Sequence, residues 1–143
     1  MKYILFFFTF SILFLLGCNS MSELLKSPGL PGPSRESPAE SADLYYKLLM
    51  WKYYDKAVAL VDQEERDDFE AFVQRNKDNL NITDYQVKKV ILDELGQEGT
   101  IEVVVTYYKY PSVSEKTLIL EDNWILIGKQ WYISPDFEQA IYK

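Results

Sequence analysis

The hydrophobic period of this chain changes once, near residue 80, and that switch restricts its fold more than any motif does. Before it, Ala42, Tyr45, Tyr46, Leu49 and Tyr53 recur at three- and four-residue spacing, with Leu44, Leu48 and Trp51 widening the stripe. Such spacing marks a helix that buries one face. Ser37-Pro38-Ala39-Glu40 opens it as a capping box with proline at the first helical position. The pattern falters at Lys52-Tyr53 and resumes as Tyr54, Ala57, Val58 and Val61, a short second helix. A third is predicted from Gln63 to Asn79, with Phe69, Phe72, Val73 and Leu80 as its buried stripe.

After the switch the period is two. Residues 85–93 are rich in Val and Ile, and the two glycines of Leu95-Gly96-Gln97-Glu98-Gly99 suit a hairpin. In 100–110, Ile101, Val103, Val105 and Tyr107 point one way, and Glu102, Val104, Thr106 and Tyr108 the other. A third strand is predicted over 116–127, and Gly128-Lys129-Gln130 turns into a fourth over 131–133. Ser134-Pro135-Asp136 is predicted to cap a last helical turn through Tyr142. Helices followed by consecutive antiparallel strands make an α+β domain.

The N-terminus reads differently. Lys2 precedes a thirteen-residue apolar run, Ile4 to Leu16, interrupted only by Thr9 and Ser11, and Leu15-Leu16-Gly17-Cys18 closes it with the only cysteine of the chain. A helix of that length reaches about 20 Å, short of the roughly 30 Å hydrocarbon core, so a removable leader is favoured over a permanent span. An ordinary signal peptide with a chance cysteine, or a short membrane anchor, is the plain alternative. The arrangement resembles the signal peptide and lipobox of a bacterial lipoprotein. The resemblance implies diacylglycerol on Cys18, cleavage between Gly17 and Cys18, and an envelope protein held by acyl chains such as palmitate. Asn19 stands where an Asp retains some lipoproteins at the inner membrane, so the periplasmic face of the outer membrane is the favoured destination. Residues 19–37, with Ser27-Pro28-Gly29, Pro31-Gly32-Pro33 and Ser37, read as a flexible tether. The expected organisation is thus leader 1–17, lipidated Cys18 and tether 18–37, and one domain 38–143.

Composition removes several chemistries. With 22 acidic and 15 basic residues the chain carries a net charge of −7, so a phosphate backbone is not an expected partner. No basic patch is legible along the sequence, and attachment to a membrane is expected from the acyl chains alone. A single cysteine precludes an intramolecular disulfide. The absence of histidine removes imidazole bases, Ser-His-Asp and Cys-His pairings and the commonest zinc ligand. Six acids between Asp62 and Glu70 lack the spacing and turn glycine of a calcium loop and read as an acidic helix start. No cofactor or metal site is expected.

Tyr53-Tyr54-Asp55-Lys56-Ala57 and the ending Trp124 through Gly128-Lys129-Gln130-Trp131-Tyr132-Ile133 resemble, together with the order of elements, the nuclear-transport-factor-2-like (ketosteroid-isomerase-like) family. The resemblance implies N-terminal helices packed on a curved four-stranded antiparallel sheet, cone-like in shape, and in enzymatic members a tyrosine facing a carboxylate inside the cone. The residue types are here: Tyr45, Tyr46 and Tyr54 on helices, and Asp84, Asp93, Glu102 and Asp122 on or beside strands. Asp122 shares parity with Leu118, Leu120, Trp124 and Leu126, so it is expected on the apolar face.

Tyr45, Tyr54, Tyr108, Tyr110 and Asp122 are therefore the candidate ligand or partner contacts, and no residue is assigned a catalytic role. The expected function is that of a membrane-anchored extracytoplasmic lipoprotein with a non-enzymatic binding domain. Its candidate partners are the membrane through Cys18, an envelope protein, a second copy, or a small apolar ligand. The alternative is a small lyase or isomerase using a Tyr–carboxylate pair within the cone.

Overall fold

The computed structural model describes residues 37–143. The leader, Gly17, Cys18 and all of the expected tether but Ser37 lie outside them. The described residues fall within one compact unit. They form an α+β fold in which helices pack against a curved, open, antiparallel sheet of order β1-β2-β3-β4.

Helix α1 (Pro38–Met50) starts where its capping box sets it. Ser37 Oγ accepts from the Glu40 amide at 3.3 Å, and Glu40 returns a carboxylate oxygen to the Ser37 amide at 3.1 Å. The helix ends with the Tyr53 amide donating to the Leu48 carbonyl and the Lys52 amide to that of Leu49, which is the paired bonding of a Schellman cap. Lys52 takes the left-handed position of that cap, at φ 58°, where glycine is the usual occupant. That costs about 1–2 kcal/mol, and its ammonium donates to the Lys77 carbonyl at 3.1 Å in partial return.

Helix α2 (Tyr54–Ala57) continues into a 3-10 turn, Val58–Leu60. Val61 then bridges to Ile133 in parallel, and the Asp62 amide donates to the Ile133 carbonyl at 2.8 Å. A second 3-10 turn, Gln63–Glu65, leads into helix α3 (Arg66–Asn76).

The strands are β1 (Leu80–Leu92), β2 (Glu98–Lys109), β3 (Lys116–Ile127) and β4 (Gln130–Ser134). Strand β2 alternates as its sequence requires, with Ile101, Val103, Val105 and Tyr107 buried. Helix α1 lies across this face, touching β1, β2 and β4. The bridge at Val61 covers the outer edge of β4. The outer edge of β1 is open but interrupted by two bulges, and it carries Lys88 and Lys89, devices that discourage strand addition.

Three boundaries differ from expectation. Helix α3 stops at Asn76, and β1 begins at Leu80 instead of Tyr85. Asn79 and Asn81 have no intrinsic strand preference. The long partner β2 recruits the chain from Leu80 onward, pairing Leu80 with Lys109 and Asn81 with Tyr108, while Asn79 stays in the preceding turn. The chain after Ser134 makes successive turns and no helix, because Phe137, Ile141 and Tyr142 must all reach the core within six residues. Buried Asn76 holds that tail, its amide donating to the Phe72 and Tyr142 carbonyls at 3.1 and 3.2 Å. The Lys109 ammonium satisfies the Asn76 oxygen at 2.8 Å.

Gly99 decides how closely the ends of β1 and β2 approach. A Cβ there would stand 2.6 Å from Leu92 Cδ2 and 2.7 Å from the Ile91 carbonyl oxygen. The leucine can swing away, but the ladder carbonyl cannot. Gly99→Ala is expected to lower stability by about 1–3 kcal/mol in urea denaturation; an unchanged midpoint would show that the hairpin yields freely.

Candidate functional site

Two features of the described residues carry chemistry. The first is a polar cluster sealed in the core. Asp122 lies on β3 between Leu120 and Trp124, with none of its surface exposed. The Tyr46 hydroxyl donates to its Oδ2. Its Oδ1, the hydroxyls of Tyr45 and Tyr142, and the Trp124 indole N–H have no partner of full hydrogen-bond geometry. The Tyr142 hydroxyl is nonetheless close enough to Tyr45 and Tyr46 to bear on their ionisation.

Burial raises the Asp122 carboxyl to about 7; the Tyr46 hydrogen bond opposes the rise, and the Asp136 carboxylate adds to it. Burial likewise keeps Tyr45, Tyr46 and Tyr142 protonated far above the ordinary phenol range, with Asp122 adding to the effect. A neutral carboxyl beside a phenol is able to exchange a proton. Here neither Asp122 nor any of the three tyrosines has exposed surface, so no substrate reaches the pair in this conformation.

The second feature is a groove of about 450 Å³ where the β1–β2 hairpin meets β3. Ile91, Leu92, Trp124 and Ile125 supply its apolar lining; Asp62, Asp93 and Glu98 supply carboxylates, and no basic residue lines it. Asp93 closes the hairpin by accepting from the amides of Leu95, Gln97 and Glu98 at 3.3, 2.7 and 2.9 Å. Those donors, Glu98 first, hold its carboxyl below the usual range, so it stays ionised. Thr100 Oγ1 and Asn123 Oδ1 meet at 3.4 Å on the groove wall.

The residues singled out from sequence are distributed unevenly. Tyr45 and Asp122 share the sealed cluster, and Tyr45 packs edge-on to Trp124 with ring centroids 6.2 Å apart. Tyr54 stands apart from them on α2, edge-on to Phe72 at 6.3 Å. Tyr108 and Tyr110 form their own edge-on pair at 5.4 Å near the end of β2. Asp84 is exposed beside a bulge, Glu102 is half-buried, and Asp93 lines the groove. Gly17 and Cys18 lie outside the described residues. Sequence reasoning missed the groove because its walls come from five separate segments. It also missed Asn76, whose one signal was a place four residues beyond Phe72 on the buried stripe.

Among the described residues no group of histidine, cysteine or carboxylate side chains could hold a metal ion. No family model matches the chain, and no curated protein matches it. It is similar to the solution structure of a SEC-C motif containing protein from Rhodopseudomonas palustris, at 20% identity. The match covers 71% of this chain and 77% of that one, with a TM-score of 0.56. What the two share is the fold. The comparison overturns the family assignment to a lipoprotein with a nuclear-transport-factor-2-like domain: the solved structure the chain is similar to is a SEC-C motif containing protein, and no family model or curated protein supports the assignment, while the apolar run and Cys18 lie outside the described residues. The misreading has a physical source. Helices followed by a meander, with glycine and tryptophan at the last hairpin, specify an architecture and leave the family open.

The unfolded Asp122 carboxyl titrates near pH 4 (about 3.9 in model peptides). Between about pH 4 and 7 the folded chain therefore holds a proton that the unfolded chain has lost, and stability falls as pH rises, by up to about 1.4 kcal/mol per unit. The chain has no histidine to confuse that window. Asp122→Asn is expected to flatten the profile between pH 5 and 7.5 in urea denaturation. An unchanged slope would place the titration on another group.

Proposed function

We propose that this chain is a lipid-anchored protein of the bacterial envelope whose folded domain is a non-enzymatic binding module. Its ligand has an apolar body and a cationic group, and it enters the groove between the β1–β2 hairpin and β3. The groove is the observation that carries this reading: aliphatic walls, three carboxylates, no basic residue, and a volume within the usual range of ligand sites. The ionised Asp93 keeps the groove negative at any physiological pH. The anchor is supported by the apolar run ending at the sole cysteine. No helix among the described residues is long and apolar enough to cross a membrane.

Two measurements test the two halves separately. Mass spectrometry of the natural product is expected to find Cys18 as the N-terminal residue, with diacylglycerol on its sulfur; an intact Met1 or a free thiol refutes the anchor. For the groove, octylamine and octanoate serve as matched probes in an NMR titration. Octylamine is expected to move the amides of Gly99, Thr100 and Asn123, and octanoate to leave them in place. Glu98→Lys should weaken octylamine binding about fivefold, the worth of one exposed charge pair. Equal responses to both probes, or none, would overturn the groove assignment.

A further inference from the structure

The outer side of α1 carries a second stripe that the core uses only through the partly buried Leu48. Leu44, Lys47, Leu48 and Trp51 recur at three- and four-residue spacing, and with Tyr53 and Lys56 they line an open hollow of about 490 Å³. Trp51, Tyr53 and Leu44 are 61%, 50% and 40% exposed. The Lys56 ammonium stands 5.0 Å from the centroid of the Tyr53 ring. Both charged residues lining the hollow are lysines, in a chain whose net charge is −7.

We propose that this patch lies on the surface of an anionic phospholipid bilayer and fixes the orientation of the domain there. Tryptophan and tyrosine favour the headgroup level of a membrane, where ring and polar tip are both satisfied. Lysines beside them reach lipid phosphates while their stems cover apolar surface. The inference rests on the anchor at Cys18 for its proximity to lipid. Residues 19–36 extend at most about 60 Å, and they enter the domain at the start of α1, the helix that bears the patch. The acyl chains confine the protein to the bilayer, and the patch decides which side of the domain faces it.

Trp51 makes the contact measurable, because the other two tryptophans, Trp124 and Trp131, are 2% and 1% exposed. The full natural product is reconstituted alone into phosphatidylcholine vesicles containing phosphatidylglycerol, with and without brominated acyl chains. Quenching of tryptophan emission by the brominated lipid is expected, and it should vanish in Trp51→Phe. Lys47→Gln combined with Lys56→Gln should remove most of it, since each lysine near an anionic surface is worth a factor of about five. Unquenched Trp51 overturns the proposal whatever the state of Cys18. If Trp51 is unquenched in these vesicles yet protected in native envelopes, the patch belongs to a protein partner and the proposal likewise fails. The mass of the Cys18 peptide, taken from the same sample, separates failure of the anchor from failure of the patch.

Discussion

Two neighbouring tyrosines on one helix, both fully buried, govern the shape of this domain. Residues adjacent in an α-helix point about 100° apart, so Tyr45 and Tyr46 are both covered only if the surroundings wrap well beyond one flat face. A curved sheet provides that. Tyr46 stacks on Tyr85 of β1, with centroids 6.0 Å apart, while Tyr45 meets Trp124 of β3 edge-on. The Tyr46 hydroxyl then needs a partner at the bottom of the concavity, and Asp122 provides it. A carboxyl group so placed costs stability when ionised and little when neutral. The sealed cluster is thus understood first as a lock between α1 and β3. Chemistry at Asp122 would require the same packing to open.

The sequence made the helical face of α1 legible because its signals agree: capping box, proline at the first position and apolar spacing all name the same start. The inward parity of β2 was legible for the same reason, and that of β3 placed Asp122 on the apolar face. Where signals conflict, tertiary structure decides. Asn81 reads as loop and becomes sheet because β2 is long enough to pair with it. Lys52 reads as a break in register and instead completes a helix cap at a positive φ. Leu80 reads as the last residue of a helical stripe, yet its burial belongs to β1.

The candidate sites were less legible than the fold. The tyrosines and Asp122 attracted notice by residue type, which led to the sealed cluster and not to any opening. The groove depends on residues 62, 91–93, 98–100, 123–125 and 134 converging in space, and no local pattern announces such a convergence. The patch on α1 was visible as extra width of the apolar stripe. That width was assigned to the core, because sequence spacing cannot tell a broad buried face from two faces turned opposite ways.

The distribution of charge distinguishes the outward faces from one another. Six acids crowd Asp62 to Glu70, and three carboxylates edge the groove, whereas the hollow on α1 is lined by two lysines and no acid. Screening at physiological salt limits each charge to about 8 Å, so an anionic surface reads the nearest face and not the net −7. Beside such a surface the acidic segments are repelled and the α1 patch is drawn in. An acidic protein can therefore keep a preferred face toward anionic lipid, because its cations, though outnumbered, stand together beside exposed aromatic rings.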